Sequence, residues 1–122
     1  MGGELLYFAA KLDPPRWQRC NTSLYAAHLD LTWHNPDQSQ ESQFFKLTDL
    51  DDVYSVSTVD VHTIILSTLR EGESVHGFEA IFSGKIERFA ALAPQARWDW
   101  IGGLLYDASF SYAVAKILTL PL

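Results

Sequence analysis

Ser74-Val75-His76-Gly77-Phe78-Glu79-Ala80-Ile81-Phe82-Ser83-Gly84-Lys85-Ile86-Glu87-Arg88-Phe89-Ala90-Ala91-Leu92-Ala93 is the stretch on which the fold class turns. Phe78, Ile81, Phe82, Ile86, Phe89 and Leu92 recur at steps of three and four, the spacing that gathers apolar side chains into one stripe of an α-helix. Glu79, Lys85, Glu87 and Arg88 fall on the other side. The pattern predicts a long amphipathic helix over about 74–93, stopped by Pro94. Gly84 within it costs about 1 kcal/mol relative to alanine, so a bend or close packing is expected there.

Working outward on the C-terminal side, residues 97–106 read as a strand kinked at Gly102-Gly103. Trp98 and Trp100 alternate around Asp99 and are expected to point together into the core. Residues 107–118 are compatible with strand or helix. On the N-terminal side, the β-branched residues of 58–70 favour a strand. Ser57 as cap, Asp60 in the first turn, Arg70 in the last and Gly72 beyond it favour a second helix, and the helix is preferred.

Ser23–His34 gives the clearest strand. Tyr25, Ala27, Leu29, Leu31 and Trp33 alternate with Leu24, Ala26, His28, Asp30, Thr32 and His34, which puts His28, Asp30 and His34 on the opposite face. Asn35-Pro36-Asp37 closes it, and residues 43–48 return as a second strand of a hairpin. Residues 4–12 are apolar on both sides, as in a buried strand or a short helix. Asp13-Pro14-Pro15 ends them, with a short helix through Trp17 able to follow. Together these segments predict a single α+β domain over 1–122, an antiparallel sheet packed by one long amphipathic helix at about 74–93 and a second at about 58–70.

The 122 residues carry four Trp, five Tyr and seven Phe, enough aromatic mass to build a core in so short a chain. The net charge is −6. It is concentrated between Asn35 and Asp60, where Asp37, Glu41, Asp49, Asp51, Asp52 and Asp60 face only Lys46. No basic stripe is available to neutralise phosphates, so direct nucleic-acid binding is not expected. No segment approaches a membrane span, and no signal peptide is legible at the N-terminus. One cysteine, Cys20, cannot form an intrachain disulfide, which fits a reducing, cytoplasmic compartment.

Catalytic motifs are absent. Gly84-Lys85 lacks the spacing and hydroxyl of a phosphate loop, and Asp49-Leu50-Asp51-Asp52 lacks the glycine and glutamate of a calcium loop. No cofactor or metal is expected. Cys20 lies beside Arg19 and near Arg16, which would lower a thiol pKa, but no base accompanies it and an inert, partly buried thiol is expected. Two Asp/His pairs, His28 with Asp30 and Asp60 with His62, together with His34, would offer acid–base or ligand chemistry if they converged in an aromatic-lined pocket.

The leading functional expectation is a protein-binding module, an inhibitor, immunity-type protein or adaptor, that covers a basic surface of a partner. Its partner-binding residues would be Asp37, Glu41, Phe44, Asp49, Asp51, Asp52 and Tyr54. A small enzyme or ligand-binding domain built on the His/Asp cluster is the alternative, and a homo-oligomer subunit with aromatics at its interface is the third.

Overall fold

A computed structural model describes residues 1–25, 27–56 and 69–118, with residues 110–118 as backbone only. The strands are β1 (Gly2–Ala9), β2 (Arg16–Tyr25), β3 (His28–His34), β4 (Gln40–Lys46), β5 (Leu50–Ser55), β6 (His76–Phe82) and β7 (Lys85–Ala91), followed by helix α1 (Pro94–Leu118). All seven strands belong to one antiparallel sheet in the order β4-β3-β2-β1-β7-β6-β5. The class is α+β and the domain is single, as the sequence predicts.

β4 and β5 occupy opposite ends of this sheet, yet only the 3₁₀ turn Leu47–Asp49 joins them in the chain. In a flat sheet six interstrand spacings would hold them ~29 Å apart. Three residues of 3₁₀ turn advance only ~6 Å. The sheet must therefore curl until its two edges approach each other. The side chains record that curl: Phe45 of β4 stacks on Phe82 of β6 with ring centroids 4.6 Å apart.

The concave face is the core. Leu5 and Tyr7, Leu31 and Trp33, Phe45, Phe78 and Phe89 meet there, and Trp100, Ile101 and Leu104 of α1 close it. Gly103 lets the helix approach: a Cβ at that position would lie 2.9 Å from Met1 Sδ and 3.1 Å from Leu24 Cδ2. On the convex face Leu6, Trp17 and Ala90 are also buried, packed by Phe8, Leu69, Val75 and Leu92. β1 is thus covered on both sides, which explains why residues 4–12 lack alternation.

The helix lies elsewhere than expected. Residues 74–93 form the β6–β7 hairpin, and the helix is α1. Ser83 and Gly84, at φ 49° and 80°, make the two-residue turn whose positive dihedrals match the twist of the flanking strands. Phe78, Ala80 and Phe82 point inward, as do Glu87, Phe89 and Ala91, while Ile81 and Ile86 point out. The outward isoleucines complete the helical spacing in the sequence. Residues 97–106 are helix and not kinked strand. Trp98 and Trp100 consequently diverge, with Trp98 51% exposed beneath the Arg97 guanidinium and Trp100 4% exposed.

The expected strand 23–34 is two strands that reverse between Tyr25 and His28. Tyr25 is exposed and Leu24 buried, whereas Leu29, Leu31 and Trp33 face the core as expected. No short helix follows Pro15, since β2 begins at Arg16. The second helix at 58–70 is not borne out among the described residues. Leu69 and Arg70 are not helical, and residues 57–68 lie outside those described.

Truncating a buried tryptophan typically costs about 3–5 kcal/mol, and changes at exposed positions cost less than about 1 kcal/mol. Trp100→Ala is therefore expected to lower the chemical denaturation midpoint sharply or abolish soluble expression, while Trp98→Ala leaves it near the parent value. Equal losses in both variants would contradict this placement of the helix.

Candidate functional site

The acidic run does not form one patch. Asp37 and Glu41 lie at the β3–β4 turn. Asp37 Oδ1 accepts from the Ser39 amide and hydroxyl, bonds that hold its carboxyl below the usual range, and Glu41 accepts from Asn35 Nδ2 at 3.2 Å. Asp49, Asp51 and Asp52 lie past the other end of β4, on the Leu47–Asp49 turn and the start of β5. All three are exposed. Asp60 lies outside the described residues.

The lower corner is built by hydrogen bonds from three directions. The Leu47 amide donates to the Ala27 carbonyl at 2.8 Å, and the Ser83 amide donates to the Asp49 carbonyl at 2.8 Å. The Gly84 amide donates to Asp51 Oδ2 at 2.8 Å, while Asp52 Oδ1 accepts from the Val53 amide. Pairing slips between Leu50 and Asp52, a bulge that leaves Asp51 and Asp52 both outside the core. Between this corner and α1 runs a groove of about 340 Å³, with Leu47, Leu50, Leu105 and Ala108 as its apolar surface and Asp51 and Asp52 at its rim. Leu105 is 46% exposed there. Among the described residues β5 pairs with β6 alone.

Phe44 stands apart from this corner, whereas Tyr54 lies on β5 two residues beyond Asp52, near enough for that carboxylate to act on its phenol. Phe44 is exposed on the convex face of β4 beside His28. Tyr54 donates its hydroxyl to Glu79 at 2.9 Å, which in turn meets Arg88, and this pairing raises the phenol's pKa. Sequence reasoning missed Leu47, Leu50, Leu105 and Ala108. Leu47 looks like an ordinary strand residue and Leu50 falls in a stretch without a clear pattern, while Leu105 reads as part of a kinked strand and Ala108 belongs to a segment compatible with strand or helix.

The histidines do not gather. His28 and Asp30 share the convex face of β3, with the Tyr25 hydroxyl donating to Asp30 Oδ2 at 2.7 Å. His34 is six residues from His28, ~20 Å along the strand. His76 bonds Ser74, and His62 lies outside the described residues. No group of three His, Cys, Asp or Glu suited to a metal exists among the described residues.

Strand alternation separates Cys20 from its basic neighbour. Arg19 faces outward, where it pairs with Glu73 at 2.6 Å and Glu4 at 3.4 Å, and Arg70 meets Glu4 at 3.0 Å. Cys20 faces the core, and burial pushes its thiol up to about 12. Inside the sheet, Glu87 is buried against the Tyr7 hydroxyl at 2.9 Å with Lys85 3.6 Å away. Burial and the Glu87 charge raise the Tyr7 phenol.

Neither a known protein family nor a curated protein matches the sequence. No helix among the described residues is long and apolar enough to cross a membrane.

Two outcomes follow from these environments. Cys20 in the native protein should resist thiol reagents near pH 8 and react only after denaturant is added; rapid native labelling would contradict its burial. Hydrogen bonds from Arg19 and the Arg70 amide lower Glu73 from its ordinary 4.5 to about 2. A depressed carboxylate stabilises the fold fully above its unfolded pKa and loses that contribution as pH falls through the folded value. The destabilisation caused by Glu73→Gln should thus be largest near neutrality and shrink between about pH 5 and pH 2. A pH-independent difference would exclude the ionic role.

Proposed function

We propose that this domain is a protein-binding module that captures an extended, basic segment of a partner in the groove between β5 and α1. The observation that carries this reading is the combination in one place of a strand that, among the described residues, is paired on one side, an apolar floor and an acidic rim. An extended peptide laid along a free strand edge gains main-chain hydrogen bonds, and pockets for alternate side chains select its sequence. Leu47, Leu50, Leu105 and Ala108 would receive its apolar residues. Asp51 and Asp52 would receive lysine or arginine, and Asp49 would extend the field along the turn.

The charge of the whole chain favours the same partner. A net charge of −6 accelerates encounter with a basic surface and opposes approach to nucleic acid. A second copy of the domain is a poor occupant of this edge, because pairing two copies would bring two sets of the same exposed carboxylates, Asp51 and Asp52, to one interface. Occlusion of a basic site, as by an inhibitor, an immunity-type protein or an adaptor, is the form of action this reading implies. A reducing, cytoplasmic compartment suits a chain whose single cysteine is a buried thiol.

The test is selection from a random peptide library, followed by NMR mapping of the peptides recovered. Enriched sequences should alternate basic and apolar residues and should shift amides of residues 47–53 and 104–109. Replacing Asp49, Asp51 and Asp52 together by asparagine should slow association several-fold at low salt and much less at high salt. Leu105→Glu should block the groove. Selected peptides without basic bias, or shifts confined to another face, would overturn the assignment.

A further inference from the structure

We infer that the convex face of β3 and β4 carries a second binding site, for a methylated lysine side chain of a partner protein, formed by Tyr25, Phe44, His28 and Asp30. It is independent of the β5–α1 groove and rests on different residues.

Four features define it. Tyr25 and Phe44 are large aromatic side chains, each 53% exposed, and they flank His28 at centroid distances of 6.2 and 5.3 Å. The interplanar angles of 68° and 65° make the rings a set of angled walls and not a stack. Asp30 lies directly across from Phe44 in the strand register and is held by the Tyr25 hydroxyl at 2.7 Å. The walls enclose an open depression of about 300 Å³, with Thr32 and Ser42 at its edge.

The chemistry of these walls selects a cation. An aromatic face carries negative potential that attracts a cation placed over it, and a nearby carboxylate adds full charge to the same field. An anion would meet the Asp30 carboxylate, and a neutral apolar group would forgo it. A primary ammonium is compact and strongly hydrated, so it gives up more water than open walls return. A trimethylammonium group is bulkier and softer, and groups of this kind are held by aromatic cages. Its neutral alkyl stem can lie along Phe44. In choline headgroups a phosphate follows the nitrogen closely and would approach Asp30, which disfavours a lipid source. Lys46 lies cross-strand from His28 on the same face and is the intramolecular competitor.

The experiment titrates the intact protein with Nα-acetyl-trimethyllysine amide and follows the amides of residues 25, 28–32 and 42–46 by NMR. Saturable shifts confined to this face are expected, with several-fold weaker binding of Nα-acetyl-lysine amide and none of the uncharged tert-butyl isostere. Phe44→Ala and Asp30→Asn should each weaken binding several-fold while the melting temperature stays close to the parent. Lys46→Ala should preserve or strengthen it. Equal binding of the neutral isostere would reduce the site to an apolar patch. Tighter binding of phosphocholine would assign it to lipid, and the absence of saturable shifts would remove it. Each of these results overturns the proposal, and none bears on the groove, whose reporters are residues 47–53 and 104–109.

Discussion

A three-residue link between the two edges of a seven-stranded sheet is the constraint on which this molecule rests. Leu47–Asp49 is too short to cross an open sheet, so the strands must roll up until β4 and β5 face each other. Rolling gives the inner face enough curvature for rings from strands five places apart in the sheet to touch, as Phe45 and Phe82 do. It also leaves an interior that seven strands alone do not fill. Trp100, Ile101 and Leu104 supply the missing volume, which makes α1 part of the core and not an appendage.

The same link places charge on β5, which among the described residues pairs with β6 alone. Unpaired edges invite pairing with other chains, and proteins commonly guard them with charged side chains and bulges. β5 has both, an irregular step at its start and two exposed aspartates. Asp51 also terminates the β6–β7 turn through the Gly84 amide, so its carboxylate serves the fold as well as the surface. A guard made of negative charge is selective. It repels copies of itself and neutral strands gain nothing from it, whereas a basic strand finds its counter-ions in place. Protection against aggregation and preference for a basic partner are then one arrangement seen from two sides.

The sequence made the class of fold legible but exchanged its helix for a hairpin. At 74–93, inward positions are shared between large phenylalanines and the small Ala80 and Ala91, which hides the period of two. The outward Ile81 and Ile86 supply a false period of 3.6. Ser83-Gly84 was the local sign of a two-residue turn between strands, and it was read as a flaw in a helix. In α1 the opposite occurred. Buried Trp100, Ile101 and Leu104 are balanced by exposed Trp98, Leu105 and Tyr106, so no polar face betrays the helix, and Gly102-Gly103 looks like a strand kink. The candidate site was half legible. Asp49, Asp51 and Asp52 are visible as charge in any reading. Part of their apolar complement, Leu105 and Ala108, comes from α1, more than fifty residues on, and only the roll of the sheet brings it near.

The seam between β1 and β7 bears on how the chain comes together in time. β1 meets β2 through a short local turn, and β3 and β4 follow by hairpins, so the first four strands can assemble as the chain emerges. The other side of β1 waits for Leu6 to meet Ala90 and Tyr7 to meet Phe89, partners more than eighty residues later. Until then Leu5, Tyr7, Leu31 and Trp33 line an apolar trough with no lid, and non-local pairing of this kind is slow to form. During synthesis the nascent chain therefore carries an open, sticky half-shell that only its final third can close. Exposed surface of this sort is what chaperones hold, and the burden of safe delivery falls on the interval between translation of β4 and translation of α1.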